Sequence, residues 1–367
     1  MIIHYLDTLS LFKNFLYKSG YTLLTLWGVI TVIFCLFFIL PGDPARMMLD
    51  QREDEEQLKI VRQKLGLDLP IFTQYVYYLN DLSPISFHNT TTPNSIDYYS
   101  PTKYNALTLF ETDTNKMVLK IPYFRESFQN QGKKVSSILE EVLPNTILLA
   151  CCSITIAFIL GILLGIFSAL TKDSWFDRII AVITSIGMSI PSFFSAILMA
   201  WIFAFILKEY TGLNMTGSLY EIDDMGEGKH LALKNLILPS LTLGIRPLAV
   251  VTQLMRNSLL EILNQDYIRT AKAKGLSTFT IIRKHALKNA LNPVITAISG
   301  WFAGMLAGAV FVEYIFGWNG LGKEIVDALN NLDLPVIMGS VLIISFMFIF
   351  INIIVDLLYK LLDPRVR

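Results

Sequence analysis

Charge is what this sequence has least of: Asp, Glu, Lys and Arg make up 16% of its 367 residues, against about 25% in ordinary soluble domains. The charge present is balanced, thirty basic residues against thirty acidic. With no basic excess to neutralise phosphates, a nucleic-acid partner is not expected. The three cysteines, Cys35, Cys151 and Cys152, all lie in apolar stretches, which leaves no disulfide framework for a soluble part and no Cys-based metal site. His4, His88, His230 and His285 are scattered without metal-ligand spacing. No G-x-S-x-G nucleophile elbow occurs, so hydrolase chemistry has no visible seat. GWNGLGK at 317–323 comes nearest to a phosphate loop, but Glu324 stands where Ser or Thr must reach Mg²⁺, and Gly228-Lys229-His230 fails at both ends. Any ATP hydrolysis is expected on another polypeptide.

What the sequence has in quantity is apolar residues, 53% of the chain. A membrane-spanning helix needs about 20 mostly apolar residues to cross about 30 Å of hydrocarbon. Six stretches qualify: 21–40, 144–170, 179–207, 292–312 and 334–355 hold no charged residue, and 235–255 holds one, Arg246. The first is longer than a signal-peptide core and is followed by no small-residue cleavage site, so it is read as retained. Six crossings put both termini on one side. Short segments on that side hold Lys13, Lys18, Lys172, Arg178, seven basic residues between Arg256 and Lys288, and Lys360, Arg365 and Arg367. The opposite short loops hold only Lys208, Lys229, Lys234 and Lys323, so the 1–20 segment and the 356–367 tail are expected in the cytoplasm.

That orientation puts 41–143 outside. Two short helices are expected there, 54–65 stopped by Gly66 and 74–79 after Pro70. From 83 to about 115, Ser, Thr, Asn, Pro and Tyr dominate, and an irregular surface excursion is expected. The loop 256–291 is too charged to span. Leu259, Ile262, Leu263 and Tyr267, then Leu276, Phe279, Ile282, Ala286 and Leu287, recur at helical spacing, with Gly275 and Ser277 placed as C-cap and N-cap. Two amphipathic helices about a glycine hinge follow, either lying on anionic lipid or docking into a groove on a cytosolic partner.

Within the spans, Gly161/Gly165 and Gly300/Gly304/Gly308 are spaced for close helix packing, inside this chain or against a second subunit. Pro191 should kink the third span beside Ser189, Ser192 and Ser195, bordering a passage or merely bending the helix. A mid-membrane Arg246 costs at least about 2.5–3.5 kcal/mol on insertion scales, so it should face a water-filled cavity or a polar partner. Flanked by Gly244 and Pro247, it suggests a local break in the fourth span. Arg246, Ser189 and Ser192 are the candidates for a translocation path.

The string DYIRTAKAKGL at 266–276, followed by HALKNALNP at 285–293, resembles the EAA-type loop of ABC importer permeases in its dipeptide/oligopeptide permease form. LPGDP (40–44), LGLDLP (65–70), LPNT (143–146), LAGA (306–309), and GLG (320–322) with DAL (327–329) extend the resemblance over nearly the whole chain except about 83–130 and the first ten or so residues. Arg269-Thr270-Ala271 stands where the general pattern has Glu-Ala-Ala, Asn319 stands where the family usually has Pro, and the GDLGxS element is not recognisable past Asn80. The resemblance implies an all-α membrane fold of six transmembrane helices, of the ABC importer type I permease kind, with a large extracytoplasmic insertion between helices 1 and 2. It implies a non-catalytic subunit in the bacterial inner membrane that imports di- or oligopeptides, nickel or metal chelates being the alternative within the family; an ion-coupled carrier or channel is the rival from another class. The implied partners are a second homologous permease, two cytosolic ABC ATPases carrying the ATP and Mg²⁺, and an extracytoplasmic substrate-binding protein, with lipid around the spans and no cofactor in this chain. Asp266, Tyr267, Arg269, Thr270, Ala271, Lys272, Lys274, Gly275 and Leu276 would form the contact with the ATPase. There Gly275 would permit the sharp turn, and Lys272 and Lys274 would meet acidic or carbonyl groups.

Overall fold

The computed structural model describes residues 20–36, 44–47, 55–92, 95–130, 132–222 and 228–362. Most of the expected 1–20 segment, the end of the first span, positions 40–43 of LPGDP, Asp54 and the last residues of the tail, 363–367, lie outside them. The chain divides into two units, Met1–Glu141 with Ile325–Ser345 and Val142–Glu324 with Phe346–Arg367.

The first unit opens with α1 (Gly20–Leu36), α2 (Pro44–Met47), α3 (Glu55–Leu65) and α4 (Ile71–Leu82). α3 stops at Gly66, whose φ of +66° turns the chain. Pro70, pre-set near helical φ, starts α4. α4 packs on α1 through Phe34 against Tyr75 and Tyr78, and the Thr31 and Tyr75 hydroxyls meet at 2.7 Å. Ile33, Leu82, Met338 and Leu342 close this cluster.

The segment expected to be irregular is instead an antiparallel sheet, which corrects the all-α reading to a mostly helical fold. β1 (Ile85–Asn89), β2 (Ala106–Glu111) and β3 (Asn115–Lys120) pair in the order β1-β3-β2. The alternation is reversed from the usual sense. Ser86, His88, Val118 and Lys120 are buried, whereas Ile85, Phe87, Leu107 and Leu119 face out. Ser86 Oγ lies 2.8 Å from His88 Nε2, the His88 ring lies tilted 4.2 Å from that of Tyr104, and Lys120 donates to the Asp81 carbonyl, while His88 Nδ1 is buried without a hydrogen-bond partner. The Asp333 carboxylate accepts hydrogen bonds from the Ser127 hydroxyl and the amides of Phe128 (3.0 Å) and Gln129 (3.3 Å), fixing the segment that follows the sheet.

The rest of the chain is built on long helices, of which Val135–Glu141 and Ile325–Ser345 belong to the first unit and the remainder to the second. α5 (Val135–Leu170) is followed by α6 (Trp175–Ser189), α7 (Ser192–Met199, continued as a π-helix over Ala200–Ile206), α8 (Lys208–Thr211) and the hairpin β4 (Tyr220–Ile222) and β5 (Lys229–Leu231). Then come α9 (Ile237–Leu263), α10 (Asp266–Ala273), α11 (Thr278–Ile281), α12 (Leu287–Phe316), α13 (Leu321–Asn330) and α14 (Leu334–Leu362). Three of these are long and apolar enough to cross a membrane: Val135–Leu170, Leu233–Leu263 and Leu334–Val355. Two bent pairs raise the number among the described residues to five, and α1 is a shorter apolar helix.

Three boundaries differ from the sequence expectation. α5 begins at Val135, so Pro144 sits inside the helix and does not open it. Glu140 and Glu141 in its early turns break the apolar run by which a span is recognised. The third span is two helices set 114° apart at Pro191, a corner sharper than a proline kink. The fourth runs unbroken through Arg246 and Pro247. Gly244 lets it lie against α5, since a Cβ there would stand 3.0 Å from the Ser153 carbonyl oxygen. The expected first helix of the 256–291 loop is divided between the end of α9 and α10, and the second runs from α11 into α12 through a π-helical stretch, Ile282–Ala286.

Candidate functional site

α10 is too short to be stable alone, and it is held by one face. Ile268 and Ala271 are its buried residues. They enter a cluster formed by Ala169 of α5, Met255 and Leu259 of α9, and Ile281, Ala286 and Ala290. The apolar face is thus consumed within the chain, and what remains outward is Asp266, Tyr267, Arg269, Thr270, Lys272, Lys274, Gly275 and Leu276, all exposed. A helix lying on lipid needs its apolar face free, so this arrangement suits a protein partner better.

The end of α10 is a Schellman turn. The Leu276 amide reaches the Ala271 carbonyl (3.4 Å) and the Gly275 amide reaches Lys272 (2.9 Å), which requires the φ of +79° found at Gly275. Ser277 caps α11, its Oγ accepting from the Thr280 amide at 3.4 Å. Beyond it Phe279 is 72% exposed. The Asn289 amide donates to the Tyr267 hydroxyl at 3.2 Å, tying the first turn of α10 to α12. Arg269 lies 3.5 Å from Asp266 across a fully open surface.

The loop is anchored to the spans by a pair that the sequence reading missed. Arg256 Nε and Nη2 donate to the two carboxylate oxygens of Asp177, each at 2.7 Å. Ser168 Oγ adds a 2.5 Å bond from α5, and the Asp173 amide donates at 3.1 Å. α5, α6 and α9 therefore converge on one carboxylate that is 4% exposed. A signal existed: Ser174 and Asp177 form an S-x-x-D cap ahead of an apolar run, and the Ser174 hydroxyl accepts from the Asp177 amide.

The translocation-path candidates meet at the corner between α6 and α7. A proline has no N–H to donate, and the corner leaves the last carbonyls of α6 without helical partners. Arg246 supplies one replacement, its Nη2 donating to the Met188 carbonyl at 3.3 Å. Ser189 bonds back to the Ser185 carbonyl at 2.8 Å, and Ser192 sits half-buried in the first turn of α7. Arg246 is otherwise exposed. Deeper on the same helices, Gln253 Nε2 donates to Thr184 Oγ1 at 3.2 Å.

A third joint brings LPNT and GLG together. Asn145 donates to the Asn319 carbonyl at 2.7 Å, the buried Trp318 indole donates to the Asn145 carbonyl at 3.1 Å, and the Leu321 amide donates to Thr146 Oγ1 at 2.7 Å. Glu313, fully buried, receives the amides of Gly322 (2.6 Å) and Lys323 (3.3 Å). A Cβ on Gly320 would fall 2.5 Å from this carboxylate, which accounts for that glycine.

A helical membrane protein that buries one face of a loop helix in its own core and turns the other outward has the form of a transporter's membrane subunit. The comparisons agree. The chain belongs to the family of binding-protein-dependent transport system inner membrane components, the permeases of ABC importers: the family profile matches residues 161–367, more than half of the chain, and the profile of the family's N-terminal region matches 11–93. The Dipeptide transport system permease protein DppB of Alkalihalophilus pseudofirmus is 33% identical over 356 residues, covering 93% of this chain and 95% of the relative. The protein of that name in Bacillus subtilis is 33% identical over 343 residues (94% of each), and the Di/tripeptide transport system permease protein DppB of Pseudomonas aeruginosa is 31% identical over 364 (95% and 97%). Among solved structures, the inward-facing MetNI methionine ABC transporter aligns over 62% of this chain and 97% of its own, at 18% identity and a TM-score of 0.49.

Proposed function

We propose that this chain is the membrane subunit through which an ABC importer moves di- or oligopeptides into the cytoplasm. The observation that carries the reading is α10, held by Ile268 and Ala271 with its polar face outward; relatives named for dipeptide transport support the cargo. The assembly is a second homologous permease, two cytosolic ATPases that hold ATP and Mg²⁺, and an extracytoplasmic binding protein. The bundle is of the type I kind with six crossings, both termini in the cytoplasm and 41–143 outside. Gly300 and Gly304, where an added Cβ would meet nothing within 4 Å, leave room for the second permease to approach.

The surface of 266–276 enters a groove of the ATPase, and closure of the ATPases moves α10 and the α9–α12 frame with it, shifting the population between inward- and outward-open bundles. Ile268 and Ala271 pass the force inward, and Gly275 fixes the direction of the turn. Lys272 and Lys274 meet acidic or carbonyl groups of the partner, and Arg246, Ser189 and Ser192 border the path. In the assembled complex, Gly275→Val places a β-branched residue at φ +79°. It should leave assembly intact, keep ATP hydrolysis and abolish peptide uptake. Normal uptake by that variant at normal abundance would remove the reading.

A further inference from the structure

A cavity of about 610 Å³ opens in the first unit, within the range of small-molecule sites. Its lining is apolar at Phe34, Phe124 and Met338 and charged at Asp81, Lys103, Arg125 and Glu126. Two cations, Lys103 and Arg125, and two carboxylates, Asp81 and Glu126, line it; Glu126 is exposed, and Asp81, the buried carboxylate, is shared by Arg125, Lys120 and Lys103.

The partners of each group show which donors are spare. Arg125 Nε donates to Asp81 Oδ2 at 2.9 Å, and the Tyr104 hydroxyl donates to Oδ1 at 3.1 Å. Lys120 donates to the Asp81 backbone carbonyl. The two Nη groups of Arg125 have no acceptor, and Nη2 is buried without a partner. Lys103 Nζ has only a long 3.3 Å bond to the Ile96 carbonyl and the ring faces of Tyr104 and Tyr123, 4.9 and 5.3 Å away. Asp97 is engaged by the Ser95 hydroxyl, and Glu126 is exposed. Arg125 also has a φ of +68°, a strained conformation for a residue with a side chain and one that clusters at ligand clamps. A guanidinium with spare fork donors matches a carboxylate, and Lys103, which makes no hydrogen bond to a carboxylate, supplies a second cation.

We propose that this cavity is a binding site for the C-terminal carboxylate of a short peptide, taken between Arg125 and Lys103 while an apolar side chain rests against Phe34, Phe124 and Met338. The proposal rests on the peptide-import reading above and deepens it, giving the permease its own station for cargo. Burial lowers the proton affinity of Lys103, and an incoming anion would offset that.

The test is equilibrium dialysis of tritiated Ala-Phe and of its C-terminal amide against the purified full chain in nanodiscs. Ala-Phe should bind at one site per chain, and the amide, lacking the carboxylate, about tenfold or more weaker. Lys103→Gln should lose affinity by a similar factor at an unchanged melting temperature, and Lys103→Arg should retain it. Equal binding of peptide and amide overturns the proposal, and so does displacement of nothing but phosphatidylglycerol from the site. The comparison of peptide with amide uses the unaltered chain and stands even if a variant misfolds. Peptide uptake by the assembled transporter is measured separately: uptake without binding at this cavity removes the station alone, and absence of uptake removes the peptide reading itself.

Discussion

Arg256 of α9 clasps Asp177 of α6 with both ends of its guanidinium fork, each bond 2.7 Å long. The carboxylate is also bonded by Ser168 of α5, so three helices share one buried charge at the level where the spans meet the loop. Removing one partner of such a pair leaves the other desolvated and alone, which is far more costly than the net worth of the intact pair. Asp177→Asn should destabilise the second unit by about 2–4 kcal/mol. Arg256→Lys, which keeps the charge and loses the fork, should cost less. Thermal unfolding of the purified chain followed by tryptophan fluorescence orders the three proteins; equal melting temperatures would show that the clasp carries no load.

The buried face of α10 separates attachment from recognition. Ile268 has no exposed surface, and Ile268→Ala deletes packing worth about 2–4 kcal/mol in an ordinary core. Because α10 is one short helix on a larger frame, the loss should appear locally, as faster amide exchange over 266–276 with little change in global melting. In the complex it should reduce uptake more than ATPase activity. The exposed Lys272 and Lys274 should behave differently: Lys272→Ala and Lys274→Ala remove solvated charges, worth little singly, and should leave exchange in α10 unchanged. An α10 equally protected in Ile268→Ala and in the unaltered chain would contradict this division.

How much of this was readable beforehand depends on the kind of interaction. The apolar runs of α5, α9 and α14, and the cap pattern at Gly275 and Ser277, are local in sequence and were legible. The sheet was hidden because its alternation is inverted: His88 and Lys120 are buried, while Phe87 and Leu107 face out, so the composition looks like a loop. The corner at Pro191 was expected as a bend, but no proline announces a turn of 114°. What stabilises it, Arg246 on the Met188 carbonyl, spans 58 positions. Such long-range polar pairs, Asp177 with Arg256 among them, leave only a weak trace in one sequence.

Glycines of the two spaced motifs should respond in opposite ways. A Cβ on Gly165 would stand 2.7 Å from the Thr252 carbonyl oxygen and 2.6 Å from Met255 Cβ. Backbone cannot yield as a flexible side chain does, so Gly165→Ala should force α5 from α9 and cost about 1–3 kcal/mol. Gly304→Ala meets nothing within 4 Å and gains helix propensity of up to about 1 kcal/mol, so the isolated chain should be as stable or slightly more so. Melting temperatures of the two variants decide it. If the second permease packs where we propose, Gly304→Leu should weaken co-purification of that subunit without lowering the stability of this chain.

The sheet of the first unit should carry a pH signature. Burial pushes the Lys120 ammonium down to about 8 and lowers that of Lys103, and it lowers the His88 imidazolium as well. The hydroxyls of Tyr78, Tyr104 and Tyr123 are pushed up by burial. From about pH 8 to the ordinary lysine value of about 10.4, the unfolded chain binds a proton on Lys120 that the folded one does not, so stability rises with pH. His88 acts in the same sense below about pH 6.5. Above about pH 10 the sign reverses, because unfolded tyrosines ionise while the buried ones stay protonated. Resistance of 83–130 to proteolysis should therefore climb from neutral pH to a maximum between about 9 and 10 and then fall. Lys120→Met removes the group that drives the alkaline rise, and its profile should be flatter between pH 8 and 10. A native protein whose resistance declines steadily from pH 7 would contradict the burial of Lys120 and the direction of its shift together.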